Sequence, residues 1–247
     1  MEQHPFHVTK EYFGKVYEDD TPGLHTIVYG FENDSKKRER DGGLIPSNGA
    51  CYGYVHEGQI TLAESDEFYL NVAAGFWFVM PDGFKWKAQS EHYRFVVWQR
   101  VGYHGNVAVG KVEPEGRLNY IDGCKDSMLQ APIRKGDPCL NALYMPEGVL
   151  QTMHTHPSMR AGFIMVGGAK CTTPEKVIDL EDGHIFFMPA DVKHFFRSDH
   201  GENTVMKLVA YHPDSDFGPT DEIHPMINRT LVDGVSASTM TDIQTKA

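Results

Sequence analysis

The stretch MPEGVLQTMHTHP, residues 145–157, decides the fold of this chain. It places His154 and His156 two positions apart in a segment whose residues favour a β-strand. Side chains two apart on a strand lie on the same face, so the two imidazoles are expected to converge on one point. A third histidine, His194, follows 38 residues after His156, behind a tight turn at residues 189–191, and a barrel can bring it to the same point.

Three neutral imidazoles in this arrangement suit a divalent metal. Nitrogen ligands are favoured by iron, zinc, nickel and manganese, and three of them leave coordination positions open for a substrate. An isolated pair of histidines could equally lie on a solvated face of a strand and bind nothing. The pattern around the pair is what favours the metal site.

The rest of the chain predicts an all-β protein. Short runs rich in Val, Ile, Phe, Tyr and Trp alternate with glycine and proline, and long helical periodicity is absent. Strands are predicted at residues 59–62, 75–80, 93–99, 140–145, 150–156, 163–166, 184–188 and 204–211. A turn-rich segment separates two units of similar size, which predicts an N-terminal barrel over residues 1–109, a linker over 110–138 and a C-terminal metal-binding barrel over 139–247.

The two units share a skeleton of turn residues. In the first unit, Gly75, Pro81, Gly83 and Trp86 have the same spacing as Gly183, Pro189, Asp191 and His194 in the second. Matching turn chemistry at matching spacing favours an internal duplication. Trp86 then stands where the second unit has its last histidine.

These motifs resemble those of the cupin superfamily. Its first motif is a glycine, five residues, HxH, three or four residues, a glutamate, six residues and a glycine; this chain reads Gly148, VLQTM, His154, Thr155, His156 and then Gly167 or Gly168. Its second motif is met by Gly183, HIFFM, Pro189, Ala190, Asp191, VK and His194, with Asp191 in place of a glycine. The resemblance implies two double-stranded β-helix (jelly-roll) barrels in tandem, as in a bicupin, and a metal held by the three histidines.

One departure from the family pattern bears on the chemistry. The glutamate of the first motif should fall at position 160 or 161, where this chain has Arg160 and Ala161. A site with three histidines and no carboxylate resembles that of cupin dioxygenases of the gentisate, cysteine and diketone-cleaving types. The resemblance therefore implies an enzyme, a dioxygenase with Fe²⁺, or alternatively Zn²⁺, Ni²⁺ or Mn²⁺, that acts on a small anionic substrate. Arg160 is expected either to orient the acidic group of that substrate or to form a rim ion pair.

The first unit lacks the metal-binding residues. Where its HxH should lie the chain reads SNGACYGYVHEGQITL, residues 47–62, and Trp86 replaces its last histidine. Fewer than three ligands rarely hold a metal, so the N-terminal barrel is expected to bind none and to act as a scaffold, a dimer partner or a cavity wall.

Several further residues are candidates for the substrate pocket. Strand alternation predicts that Thr152 lies beside the histidines and that Gln151 faces away. Phe196 is a candidate for substrate contact, with core packing as the alternative. Tyr211 and His212 are candidates for acid–base catalysis if they reach the mouth of the barrel, and structural roles are the alternative. The acidic segment after Pro213 is expected to cover the mouth, to contact a partner subunit or to form a solvated loop.

Composition limits the possible partners. The formal net charge of −11, from 34 acidic and 23 basic residues, argues against binding to nucleic acid or to an anionic membrane. The four cysteines show no paired spacing, and no leader or membrane span is visible, so a cytoplasmic protein with reduced thiols is expected. Resemblance to other cupins implies a homodimer.

Function remains open among three classes at the level of sequence. The first is the iron dioxygenase described above. The second is a metal-dependent isomerase or lyase acting on a sugar acid or a similar oxyanion, in which the metal is only a Lewis acid. The third is a non-catalytic protein that binds a small molecule, because one barrel can support many functions.

Overall fold

The structure is a computed structural model that describes residues 6–33, 42–198, 205–220, 222 and 224–245. Its elements are β-strands and short 3-10 helices, which confirms the predicted all-β fold. In chain order the first strands are β1 (His7–Thr9), β2 (Phe13–Asp19), β3 (Thr26–Asn33), β4 (Gly42–Leu44), β5 (Gly49–Glu57), β6 (Gln59–Ala63), β7 (Tyr69–Ala73), β8 (Phe76–Met80), β9 (Lys85–Ala88), β10 (Tyr93–Val101) and β11 (Ala108–Lys111).

The second half of the chain follows the same plan. Its strands are β12 (Leu118–Asn119), β13 (Lys125–Gln130), β14 (Cys139–Met145), β15 (Arg160–Val166), β16 (Ala169–Thr172), β17 (Val177–Leu180), β18 (Ile185–Met188), β19 (Phe195–Ser198), β20 (Met206–His212), β21 (Leu231–Val232) and β22 (Val235–Ser236). Short 3-10 helices run over Ile121–Gly123, Pro225–Arg229 and Ala237–Thr239.

The two halves repeat one strand order. In the first half the centre of the large sheet has the order β8-β5-β10-β3, and the small sheet has the order β4-β9-β6-β7. In the second half the large sheet contains β18-β15-β20-β14, and the small sheet has the order β19-β16-β17. An isolated bridge between His154 and His194 takes the place of the β4–β9 pair. Each half is thus a jelly-roll barrel closed by a large and a small sheet, in agreement with the predicted duplication.

Three strands depart from the predicted domain boundaries. Strand β1 pairs with β18, so residues 7–9 extend the large sheet of the second barrel. Strands β12 and β13 lie within the predicted linker, residues 110–138, and also belong to that sheet. The linker prediction is therefore wrong for these strands: a sheet edge left unpaired exposes backbone donors and acceptors, and the neighbouring chain segments cover it.

The two large sheets pack against each other. Because side chains alternate across a strand, each large sheet has one face toward its own barrel interior and one toward the other barrel. The shared core contains Trp98 of β10 and Tyr211 of β20, whose rings are parallel with centroids 6.1 Å apart. At one end, His56 Nε2 lies 3.1 Å from Asp182 Oδ1 across the barrels.

Aromatic side chains fill the interior of the first barrel. Trp86 is buried there, with its ring centroid 5.0 Å from those of Phe31 and Phe95. Gly43 pairs with Trp86 as His154 does with His194, and a Cβ atom at Gly43 would lie 2.7 Å from the indole nitrogen. The position of the first histidine is thus occupied by glycine under an indole ring.

This pairing corrects the predicted location of the lost histidine pair. Residues 47–62 were expected to correspond to the second barrel's HxH, but they form β5 and β6, which match β15 and β16. The counterpart of that histidine segment lies earlier, at β4. Within the described chain, no helix is both long and apolar enough to cross a membrane.

Candidate metal centre

The histidine segment runs alongside β19 without forming a regular strand. The predicted strand at residues 150–156 is replaced by isolated bridges, Leu150 with Arg197 and His154 with His194. Two backbone hydrogen bonds close the second bridge: His154 N donates to His194 O at 2.9 Å, and His194 N donates to His154 O at 3.0 Å. The main chain therefore fixes the two histidines opposite each other.

The imidazoles of His154, His156 and His194 converge, as their spacing predicts. One nitrogen from each ring lies within 4.8 Å of the others. The ring centroids of His154 and His194 are 4.4 Å apart, and each lies 5.1 Å from that of His156. This is the one group of three metal-ligating side chains at such distances in the described ranges.

Backbone carbonyl groups orient two of the rings. Nδ1 of His154 lies 2.7 Å from Thr152 O, and Nδ1 of His194 lies 2.9 Å from Val192 O. A carbonyl oxygen can only accept, so each Nδ1 carries the proton and each Nε2 keeps its lone pair. An imidazole held in this way is oriented for coordination through Nε2.

The turn before His194 joins the two histidine segments. Asp191 adopts a left-handed conformation with φ of 61°, the geometry that the expected glycine would supply. Its backbone N donates to His156 O at 2.8 Å. Asp191 therefore replaces the glycine without loss of the turn.

Burial keeps the imidazoles of His156 and His194 neutral. Desolvation, followed by the nearby Arg160 guanidinium, lowers the pKa of His156 to about 3. Desolvation is also the main reason that the pKa of His194 falls to about 4. Neutral imidazoles are the metal-binding form, and three nitrogen donors fit a divalent ion of intermediate softness. The residues present therefore fit the metal that the motifs imply.

A cavity of about 590 Å³ opens beside the three histidines. This volume suits a small molecule. Its apolar wall includes Leu143, Phe186, Met188, Phe196 and Leu208. Its polar wall includes Asp126, Asn141, Arg160, His212, Asp214 and Asp216.

Solved structures share this architecture, although no family model and no curated protein matches the sequence. Protein Ylba from E. coli superposes with a TM-score of 0.57 at 17% identity, over 86% of this chain and 92% of that one. A cupin 2 conserved barrel domain protein from Leptotrichia buccalis gives 0.55 at 12% identity, over 85% and 90%. A mutant of Bacillus subtilis oxalate decarboxylase gives 0.54 at 10% identity, over 88% and 79%. The chain has the cupin fold.

Arg160 begins β15, at one of the two positions where the motif leads one to expect a glutamate. Its side chain is 14% exposed and lines the cavity, so it is not a surface residue. Nη1 donates to Ser158 Oγ at 2.6 Å and to Met159 O at 2.8 Å, and lies 4.0 Å from Asp214 Oδ1. Ala161, by contrast, faces the core between the barrels. Of the two candidate positions, 160 therefore presents a half-buried cation to the cavity, and 161 faces away from it.

The predicted orientations of Gln151 and Thr152 are reversed. Thr152 is exposed, and its backbone N donates to Asp122 Oδ2 at 2.6 Å. Gln151 is 3% exposed, lines the cavity and accepts a hydrogen bond from Phe196 N at 3.1 Å. Strand alternation fails here because the segment is not a regular strand.

The other pocket candidates divide between the cavity and the core. Phe196 lines the cavity and also belongs to the barrel core. It is thus placed both for contact with a substrate and for core packing. His212 lines the cavity, with Nε2 2.7 Å from Asn141 Oδ1. Tyr211 does not reach the mouth: it is fully buried between the barrels, because it points to the opposite face of β20. Its position gives no support to an acid–base role.

Sequence reasoning missed the polar residues of the opposite wall. Asp126 and Asn141 lie on β13 and β14, and Asp126 fell inside the predicted linker. Asp214, in the acidic segment, accepts a hydrogen bond from Ser158 Oγ and lines the cavity with Asp216. The half-buried Asp214 and the exposed Asp216 therefore border the cavity at the start of the acidic segment. Asp221 lies outside the described residues.

Proposed function

We propose that this protein is a metal-dependent enzyme of the cupin fold that acts on a small anionic substrate. The observation that carries the proposal is the convergence of three imidazoles, with one nitrogen of each within 4.8 Å of the others, at a cavity of about 590 Å³. His154, His156 and His194 would hold the metal through one nitrogen each. Structural histidines have no need of a shared open cavity.

The preferred reaction is an Fe²⁺-dependent dioxygenation. When bound, iron(II) would supply the redox chemistry that couples the substrate to molecular oxygen. Three uncharged ligands leave the full charge of the ion in the site, which favours an anionic substrate. The vacated carboxylate position supports the same choice, because a fourth protein ligand would compete with the substrate.

Arg160 would bind the acidic group of the substrate. Its guanidinium lines the cavity with Nη1 already fixed by two backbone carbonyls and the Ser158 hydroxyl. A guanidinium held in this way is pre-oriented, so less conformational entropy is lost when an anion binds. Asp214, 4.0 Å from Nη1, offsets its charge while the cavity holds no anion.

The first experiment is elemental analysis of protein purified without oxygen. Wild type should carry about one equivalent of iron, and the His154→Ala/His194→Ala double variant should carry none. His25→Ala, which removes a histidine paired with Glu18 in the first barrel, is the matched control and should keep the iron. Wild-type protein without metal would contradict the proposal.

A metal-dependent lyase or isomerase is the second candidate. It is favoured by the polar wall opposite the histidines, where Asp126 and His212 offer acid–base groups to a substrate that needs no oxygen. The oxalate decarboxylase of Bacillus subtilis, which shares the fold, has Mn(II) centres. Oxygen uptake during turnover of oxyanion substrates distinguishes the candidates: consumption supports the dioxygenase, and turnover without consumption supports the lyase or isomerase. Tight binding without turnover would instead indicate a binding protein.

A further inference from the structure

Three polar side chains form a hydrogen-bonded row on the wall of the cavity. They come from neighbouring strands of the large sheet: Asp126 from β13, Asn141 from β14 and His212 from β20. Asn141 Nδ2 donates to Asp126 Oδ2, and Asn141 Oδ1 lies 2.7 Å from His212 Nε2. All three line the cavity that holds the histidine cluster.

When Asp126 is ionised, every hydrogen bond in the row is donated toward Asp126. A carboxylate only accepts hydrogen bonds, so the amide of Asn141 must turn its NH₂ group toward Asp126. Asn141 Oδ1 then faces His212 and accepts from Nε2–H. A neutral imidazole carries one proton, so Nδ1 of His212 is left as an acceptor. That nitrogen has no hydrogen-bond partner among the described residues.

Protonation of Asp126 reverses the direction. The carboxylic acid can donate to Asn141 Oδ1, and a half-turn of the amide then points Nδ2 at His212 Nε2. Nε2 must now accept, so the imidazole releases its Nε2 proton to water and takes one from water at Nδ1. His212 stays neutral, and its Nδ1 changes from an acceptor to a donor.

Burial and the neighbouring charges keep His212 neutral and bring the pKa of Asp126 close to neutral pH. Burial raises the pKa of Asp126 to about 6 and lowers the pKa of His212 well below its usual value. Tyr120 and Cys139, which sense the charge of Asp126, have pKa values raised by burial and stay neutral near pH 6. Arg160 acts on His212 with a positive charge that disfavours an imidazolium.

Two further titratable groups interact electrostatically with members of the row. Tyr144, on the opposite face of β14 from Asn141, senses the charge of Asp126; its pKa is raised by burial, and it stays neutral near pH 6. His156, whose pKa is lowered to about 3, also disfavours a charge on His212. Between pH 5 and 8 the group in the row that changes charge is therefore Asp126.

We infer that Asp126, acting through Asn141, sets the tautomer of His212 and so decides whether its Nδ1 accepts or donates a hydrogen bond. Asp126 and Asn141 are positioning residues for His212. With Asp126 ionised, Nδ1 would accept a hydrogen bond from a donor group of the bound substrate; with Asp126 protonated, Nδ1–H would donate one. This use in substrate binding rests on the proposed function, whereas the tautomer is independent of it.

The test is a pH series of ¹⁵N spectra of histidine-labelled, zinc-loaded protein between pH 5 and 8. Ring nitrogens with and without a proton have well-separated ¹⁵N chemical shifts. The resonances of His212 are those that disappear in a His212→Gln variant. Wild type should show the Nε2–H tautomer at pH 8 and the Nδ1–H tautomer at pH 5, with a midpoint near the Asp126 pKa of about 6.

Two variants isolate the row. In Asp126→Asn the changeover should disappear, because an amide at position 126 does not titrate. In Asn141→Leu the link is cut, and the tautomer should no longer follow pH. Asp179→Asn is the matched control: it removes an exposed carboxylate paired with Lys170 in the same barrel and should leave the changeover unchanged.

Each outcome has a definite reading. One tautomer at every pH in wild type, an imidazolium at low pH, or a changeover that survives in Asp126→Asn would each overturn the inference. The zinc content of the same samples reports on the proposed function separately. A changeover in protein that binds no zinc would leave the inference standing and reject the metal site.

Discussion

The two barrels have the same strand order and differ in what fills them. In the first, the indole of Trp86 lies over Gly43 among aromatic rings; in the second, His194 faces His154 across the same bridge, beside an open cavity. A large apolar side chain at this position closes the barrel into a core, and a small polar one leaves room for a ligand. The same position of the fold can therefore hold either a candidate metal ligand or a core side chain. In both cases the large sheet still packs against the other barrel.

The largest expected difference concerns stability. Trp86→Ala should lower the free energy of unfolding by about 3–5 kcal/mol, because it removes a buried aromatic ring and leaves a void. His194→Ala, at the corresponding position, should cost well under half of that in metal-free protein, since its ring borders a cavity that already exists. Urea unfolding of both variants measures the two losses. Equal losses would mean that the barrels are packed alike.

Metal binding should stabilise the second barrel alone. Zinc at about one hundred times its dissociation constant should raise the free energy of unfolding of wild type by about 2.7 kcal/mol. The His154→Ala/His194→Ala variant should show no increase, whereas Trp86→Ala should keep it if the variant still folds. Thermal melts with and without zinc check this, and an increase in the double variant would place the ligands elsewhere.

Acid should destabilise the metal-free second barrel. The pKa values of His156 and His194, about 3 and 4, lie below the free value of 6.5, so the unfolded chain binds more protons as pH falls. Stability from these groups is complete above about pH 6.5 and is lost as pH falls through about 4 for His194 and about 3 for His156. Between pH 7.5 and 5 the loss should be about 2 kcal/mol in total after allowance for partial exposure. Urea melts at pH 7.5 and 5 measure the loss, which should shrink in the His154→Ala/His194→Ala variant. An equal loss in both proteins would assign the effect to other groups.

The smallest effect tests the packing over Gly43. Gly43→Ala should cost about 1 kcal/mol or somewhat more, because the new methyl group would lie 2.7 Å from the indole nitrogen of Trp86. In a Trp86→His background the same substitution should cost almost nothing. A double-mutant cycle in urea gives the coupling, and no coupling would mean that the indole does not exclude a side chain there.

Local patterns in the sequence predicted the fold and the convergence of the histidines. The HxH pair and the turn before His194 each lie within one continuous stretch, and their spacing is fixed by local geometry. Gly43 could not be recognised as the counterpart of His154, because only its pairing with Trp86 reveals it. The role of the three histidines as ligands, the homodimer and the cytoplasmic location stay predictions.

The residues of the cavity wall could not be predicted from the sequence for a different reason. The wall forms where β13, β14 and β20 pair and bring together Asp126, Asn141 and His212. His212 lies 71 residues after Asn141 in the sequence. Gln151 was misplaced because alternation holds only in a paired strand. Register between distant strands is set by the whole barrel, and a single sequence does not reveal it.

The pairing of β1 with β18 also bears on how the molecule is assembled. His7 lies opposite Phe187, and Lys10 Nζ lies 2.7 Å from Glu181 Oε2. These partners are separated by most of the chain, and contacts of long sequence separation form slowly. During synthesis the first barrel can close while β1 waits, unpaired, for the second. If the two halves were expressed as separate polypeptides, the first would carry β1 without its partner. The second would expose the edge of β18, which would be prone to aggregation.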